Sequence, residues 1–423
     1  MSDLFDKTRR SFLLKSLLGS TGMLLPTKAL SFTNAGFTTN DIPKGNSDRE
    51  WRKVRSKFIL KSNVTYMNNA SLGMPPKLVV NAVSSGYTSI SEEPLLGKRE
   101  LQKKIRLKTL PALARMFDVY KDDIVLTRNA SEALFLQAMG VELKTGDEIL
   151  VTSQEHPAGS RPWMYRKNRD NIIIKNVFIP SPLTSKKDTV NRIIKEITPK
   201  TKALSFCHIT RGGHLYPVKE ICNEARKRNV LSLVDGAQAV GQFPISITDL
   251  GCDAYAASLH KWILAPSGTG FLYIQKESRK RIRTLFDPDF LAENPSYDPP
   301  GTKDLPLRAA IYDAVNFLQT IGLEKVNKRC RYLSNYLKQG LANFNDVKIL
   351  SGTDGEISAP GSTIFEKEGL DAVEAVDIVY KKIGTHIDEH QRDGHNAIRI
   401  STHVYNTKRA VSYTHLTLPT TTI

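Results

Sequence analysis

The chain has 423 residues, 40% of them hydrophobic and 24% charged, the balance of a folded globular protein large enough for two or three domains and a sizeable core. Its formal net charge is +17, but the Lys and Arg residues are spread along the whole length with no dense basic block, so nucleic acid is not an expected partner. The four cysteines (Cys207, Cys222, Cys252 and Cys330) show no CxxC or CxxH spacing, which argues against a zinc site and a disulfide framework, and no metal is expected.

The first element in chain order is an address. Thr8, Arg9, Arg10, Ser11, Phe12, Leu13 and Leu14 open a short, mildly apolar stretch interrupted by Gly and Ser. The pattern resembles a twin-arginine export signal. The stretch is too short to span a membrane, so it is expected to be processed rather than to anchor, with "TKALSF" around Ala29 as the candidate cleavage region. The resemblance implies residues 1–31 as signal, the twin-arginine export machinery as a partner, and a periplasmic or otherwise exported product with no stable membrane anchor. Residues 32–60 follow as an N-terminal segment.

From about residue 60 strands and helices alternate. "VTYMNNASLGMPP" ends a short strand in a Gly/Pro loop, and "LQKKIRLKTLPALARMF" has helical spacing with one proline break. "DDIVLTRNASEALFLQAMG" reads strand, turn, helix. "DEILVTSQEHPAG", "NIIIKNVFIP" and "KALSFCHIT" each carry a strand, "EICNEARKRNVLSLVDGAQAVG" reads helix, strand, loop, and "AYAASLHKWILAPSGTGFLYI" reads strand, loop, strand. This alternation predicts an α/β large domain over 61–300 with a mostly parallel sheet. Ligands collect at the carboxyl ends of such strands, and the polar loops after "IVLT", "ILVTS", "LSFCH", "LSLVD" and "AYAAS" all lie there. Two helices and then short strands predict a smaller α+β domain over 301–409.

Two residues stand out among those loops. Asp235 ends an apolar strand, where a carboxylate is costly unless it meets a cation. Lys261, in "ASLHKW", follows another strand, where partial desolvation activates an amine. A lysine able to form a Schiff base and a carboxylate able to hold a pyridinium nitrogen are together the recognition set for pyridoxal 5′-phosphate.

The stretches "YMNNASLG", "TRNASEAL", "EHPAG", "VDGAQAVG", "SLHKW", "GTKD" and "IRISTHVYNT" occur in this order between about residues 60 and 407. The chain resembles the class V aminotransferase family of PLP enzymes, and "NNASLG" and "STHVYNT" place it nearer the isopenicillin N epimerase-like branch than the cysteine desulfurases. The resemblance implies the type I fold of PLP-dependent transferases, with a seven-stranded sheet, and a homodimer. It assigns Lys261 as the Schiff-base lysine that also moves the Cα proton, Asp235 as partner of the ring nitrogen, Gln238 as partner of the ring hydroxyl, and His156 as the imidazole stacked on the ring. Ala130 and Ser131, at a helix start, match a phosphate cradle, with Ser258 and His260 adding donors and Thr302 reaching over from a second subunit. Arg399 matches the clamp on the substrate carboxylate. Asn69 and Arg211 join it as substrate contacts, Arg211 standing where the family often has Asn or Ser.

The loop "IGTHIDEHQRDGHNAIRIS" contains no cysteine, which disfavours persulfide chemistry, and offers His386, His390 and His395 as candidate acids or bases. The expected reaction is Cα proton transfer on an amino acid or amino-acid-like substrate, with aminotransferase or C–S/β-lyase activity as the alternative and a non-catalytic binding protein as a third. The last stretch, "KRAVSYTHLTLPTTTI", shows no helical apolar period, and 410–423 is expected to be a non-native tail replacing the family's closing helix.

Overall fold

The structure is a computed structural model that describes residues 41–417 except 288, 290–295, 353, 354 and 393. The expected export signal over 1–31 lies outside the described residues, as does 418–423.

After a two-residue strand, β1 (Thr65–Tyr66), seven strands form the main sheet: β2 (Ile124–Thr127), β3 (Glu148–Thr152), β4 (Ile173–Val177), β5 (Thr201–Cys207), β6 (Leu231–Asp235), β7 (Ala254–Ser258) and β8 (Gly270–Ile274). Their spatial order is β2-β8-β7-β6-β5-β3-β4. All neighbours run parallel except the two pairs made by β8. Every residue of β3, β6, β7 and β8 is buried, which requires cover on both faces and explains their apolar runs. The expected proline break is real. Helix Pro94–Lys104 passes into a wider turn at Ile105–Thr109 before helix Leu110–Phe117, because Pro111 brings no N–H to the ladder.

The later part of the chain builds a second sheet from β9 (Val347–Ile349), β10 (Ser362–Lys367), β12 (Asp388–Arg392) and β13 (His395–Ser401), antiparallel throughout in the order β12-β13-β10-β9. A separate strand, β11 (Thr385–His386), pairs in parallel with β1. Met67 lies in the core of this second unit with Leu333, Phe365, Ile398 and Val411. The segment after Thr65 therefore packs with the C-terminal unit, although the sequence reading placed it at the start of the large domain. Two-residue strands carry too little pattern to reveal their partner.

The C-terminal segment differs from the sequence reading in its secondary structure. A helix spans Lys408–Thr417, where no helical period was expected. The Thr407 hydroxyl accepts a hydrogen bond from Ala410 N (3.1 Å), and the fully buried Val411 anchors the helix to the core.

Arg329, on helix Leu323–Leu341, is fully buried and ties three parts of the chain together. Its Nη2 donates to Asp48 Oδ1 (2.6 Å) and to the Asn406 carbonyl (2.8 Å), and its Nη1 donates to the Asn46 carbonyl. Removing one partner of such a set strands the others. Arg329→Met is expected to lose about 3 kcal/mol of stability, read as a lower midpoint in urea denaturation.

Candidate active site

The carboxyl ends of β5, β6 and β7, the loop after β3, and the start of helix Ala130–Gly140 open onto one cavity of about 370 Å³. Nine residues singled out in the sequence line it: Ala130, Ser131, His156, Arg211, Asp235, Gln238, Ser258, Lys261 and Arg399.

Lys261 sits in the turn after β7, and the backbone around it is held from distant parts of the chain. Gly73 N donates to the His260 carbonyl (2.8 Å), Asn69 Nδ2 approaches the Lys261 carbonyl (3.5 Å), and His403 Nε2 meets the Trp262 carbonyl (3.1 Å). Gly73 is required here because a Cβ would lie 1.8 Å from the Lys261 carbonyl oxygen. The Trp262, His403 and Tyr405 rings stack in sequence, with 5.7 Å between successive centroids. Burial pulls the Lys261 amine down to about 8; Asp235 opposes that fall, and Arg399 and Arg211 add to it. The result is an amine with an appreciable uncharged fraction near neutral pH.

Asp235 ends β6 and is buried, and its carboxyl is raised above the usual carboxylate range by that burial. Its Oδ1 accepts from Ala237 N (2.9 Å), and it makes no ion pair among the described residues. A buried carboxylate facing a cavity without a counter-ion suits a protonated heterocycle. His156 caps helix Pro157–Asp170, its Nδ1 accepting from Ala158 N (3.1 Å). Burial, followed by the charges of Lys261, Arg392, Arg211 and Arg399, holds it down to about 4, so its ring is uncharged at neutral pH. Gln238 donates from Nε2 to the Ala70 carbonyl (2.9 Å) and accepts at Oε1 from Trp262 Nε1 (2.8 Å).

The helix start is partly satisfied from within. Ala130 N donates to Ser258 Oγ (2.9 Å), and Glu132 N donates to the cap residue Asn129 Oδ1 (2.9 Å). The Ser131 amide and hydroxyl, together with the Ser258 hydroxyl proton, are left as donors for an anion at this helix N-terminus.

The aminotransferase class-V family profile matches residues 65–413, most of the chain. The chain belongs to the class V aminotransferase family. Isopenicillin N epimerase from Amycolatopsis lactamdurans is 27% identical over 384 residues, covering 85% of this chain and 96% of that protein. A probable cysteine desulfurase from Xylella fastidiosa is 27% identical over 342 residues, covering 75% and 81%. Among solved structures, the cystine C–S lyase C-DES in complex with its product cysteine persulfide aligns with a TM-score of 0.76 at 23% identity, covering 85% of this chain and 98% of that one. The apo cysteine desulfurase of Thermococcus onnurineus NA1 aligns at 0.75 and 22%, covering 87% and 97%. The fold is the type I fold of PLP-dependent enzymes, and this class V enzyme's cofactor is pyridoxal 5′-phosphate. The residues present fit it. Lys261 would carry it, Asp235 would pair with its ring nitrogen, and Ser131 and Ser258 would hold its phosphate.

At the other end of the cavity Arg399, on β13, is buried, and burial works against its charge while Asp388 supports it. Its Nη2 pairs with Asp388 Oδ2, the residue opposite it in the β12–β13 register. Arg211 donates from Nη2 to the Glu389 carbonyl (2.8 Å) and to Glu389 Oε1 (2.7 Å).

Asn69 and His260 are not brought to the cavity. Asn69 is fully buried and accepts from Tyr405 OH (2.8 Å), so it supports the Lys261 turn rather than meeting a substrate. His260 points its Nδ1 to the Thr269 carbonyl (3.1 Å) and is outside the lining. Thr302, assigned to the site of a second subunit, is exposed and outside the lining of its own chain's cavity. Nor do the loop histidines reach it: His390 is fully buried, His395 lies between Glu366 Oε1 (3.1 Å) and the Ser181 carbonyl (3.0 Å), and His386 packs on Tyr380.

The sequence reading missed Gln154, Asp388 and Glu389 in the lining, and Glu155 beside it. Glu155 accepts at Oε1 from Thr152 Oγ1 (2.6 Å) and Cys207 N (2.9 Å), and burial pushes its carboxyl up to about 7. It carries the same signal that marked Asp235, a carboxylate just past an apolar strand.

The environment of Lys261 is directly measurable. In cofactor-free protein, labelling of Lys261 by trinitrobenzenesulfonate, followed by peptide mapping, should reach half its limiting rate near pH 8, and Asp235→Asn should move that midpoint lower because Asp235 stabilises the charged form. A midpoint at the ordinary lysine value of about 10.4 would contradict the burial described.

Proposed function

We propose that this class V enzyme transfers the Cα proton of an amino acid or amino-acid-like amine, as an epimerase. The observation that carries the reading is the state of the cysteines. All four are buried, and the segment leading to Arg399 has none. Cys207 does line the cavity, but burial raises its thiol well above the ordinary range, with Glu155 and Asp235 adding to the effect. No thiolate is thereby offered for sulfur transfer. The match to isopenicillin N epimerases along most of the chain supports the same reading.

When bound, the cofactor supplies the electron sink that makes a Cα proton acidic. The chain's own groups do the rest. Arg399 holds the substrate carboxylate with its planar fork. Lys261, whose amine is lowered to about 8, is matched to accepting and returning a proton near neutral pH. Asp235 keeps a positive charge opposite it, and the uncharged His156 offers a ring face rather than a competing cation.

Incubating the PLP-loaded protein with single L-amino acids in heavy water should place deuterium at Cα and yield the D isomer. Lys261→Ala should slow this by about 10²–10⁴-fold. Stoichiometric keto acid would instead mark an aminotransferase, and release of sulfide or a β-substituent would mark a lyase.

Export and dimerisation belong to the same reading. The paired Arg9 and Arg10 support passage through the twin-arginine machinery, and the family resemblance supports a homodimer. Cell fractionation should find the product outside the cytoplasm, with Arg9→Lys and Arg10→Lys together retaining it. Light scattering should give twice the chain mass; a monomer would remove the second claim.

A further inference from the structure

Arg399 and Arg211 flank one carboxylate. Asp388 Oδ2 pairs with Arg399 Nη2 and lies 3.5 Å from Arg211 Nη2, so the two guanidinium groups sit close together on the cavity wall. Each is clamped through a single nitrogen. Among the described residues, Arg211 hydrogen-bonds only through Nη2 and Arg399 only through Nη2. Arg211 lines the cavity with a partly exposed side chain, and its Nε and Nη1 make no hydrogen bond among the described residues.

The acids that clamp them have less left to give. Glu389 is used at both oxygens, accepting from Arg211 at Oε1 (2.7 Å) and from Gln391 N at Oε2 (2.8 Å). Among the described residues, Arg211 thus keeps unused N–H groups at this end of the cavity beside one unused carboxylate oxygen, Asp388 Oδ1. The electrostatics agree. The leading charge effects at His156 come from Lys261, Arg392, Arg211 and Arg399, and both cavity arginines push the Lys261 amine down. One arginine is enough for an α-carboxylate. A second, with its Nε and Nη1 edge open, has no role in binding a simple zwitterionic amino acid.

We infer that the cavity takes an α-amino acid bearing a second anionic group, with the α-carboxylate on Arg399 and the distal anion on Arg211. This rests on the reading of the site as one that acts on amino acids. Asp388 and Glu389 are positioning residues: they hold the two forks side by side, which limits the distal group to a short side chain.

The test is a titration of the PLP-loaded full chain with L-glutamate, L-glutamine and L-lysine, with dissociation constants read from the change in cofactor absorbance. Glutamine matches glutamate in shape and differs in charge. Glutamate should bind about tenfold more tightly than glutamine at low ionic strength, the scale of one charge-assisted hydrogen bond. Arg211→Gln should bring that ratio close to one, and Arg211→Lys should keep part of it. Equal binding of glutamate and glutamine, tighter binding of lysine, or a glutamate preference that survives Arg211→Gln would overturn the inference. A wild-type protein with a cofactor band but no preference removes only this inference, whereas the absence of any cofactor band removes the amino-acid reading beneath it. If Arg211→Gln loses its band, glutarate against glutaramate as competitors on the wild type decides: equal inhibition overturns the inference, and stronger inhibition by glutarate upholds it.

Discussion

The site depends on how the backbone around Lys261 is held. Three consecutive carbonyls, of His260, Lys261 and Trp262, face groups from Gly73, Asn69 and His403. Two of those groups lie about 190 residues before the turn and the third about 140 after it. A buried carbonyl left without a donor costs more than the hydrogen bond itself contributes, so the contacts specify the turn as well as stabilise it. The Trp262, His403 and Tyr405 stack fills the space behind, and Tyr405 closes the circuit by donating to Asn69. The reactive amine can thus project from a rigid base into the cavity, which is what orientation in catalysis requires.

The same construction places unfavourable groups together. A raised Asp235 carboxyl, a lowered Lys261 amine, an uncharged His156 and a buried Arg399 occupy one cavity. Each is poorly solvated, and each matches one part of the cofactor–substrate pair: ring nitrogen, aldehyde, ring face and carboxylate. Residues stabilised individually would be poorer ligands, so the mismatch is the expected signature of a functional site.

Much of this was legible because the signal was local. Asp235 and Lys261 stand at the ends of apolar strands, where polar residues need a reason. The mostly parallel sheet and its carboxyl-end loops follow from alternating apolar runs, and the count of seven strands from the family resemblance. What the sequence concealed depends on pairing at a distance. Asn69 was misread as a substrate contact because its partner, Tyr405, is 336 residues away. Asp388 and Glu389 were passed over in a loop read for its histidines, since only the β12–β13 register sets Asp388 against Arg399. Among the described side chains of the last helix Val411 is the one buried apolar residue, and β1 is too short to show its side. Glu155 is different: its signal was local and was overlooked beside the more familiar His156.

That register has a consequence for how the site can vary. Side chains along a strand alternate between faces with a period of two. Arg399 meets Asp388 only while the turn around Gly394, whose φ is +81°, keeps its length. Adding or deleting one residue there would slide β12 against β13 and take Asp388 out of register with Arg399, while pairing with β10 keeps Arg399 on its own face. The hairpin therefore acts as a ruler for substrate choice, and a relative with a different turn length would present a different anion clamp on an otherwise unchanged scaffold.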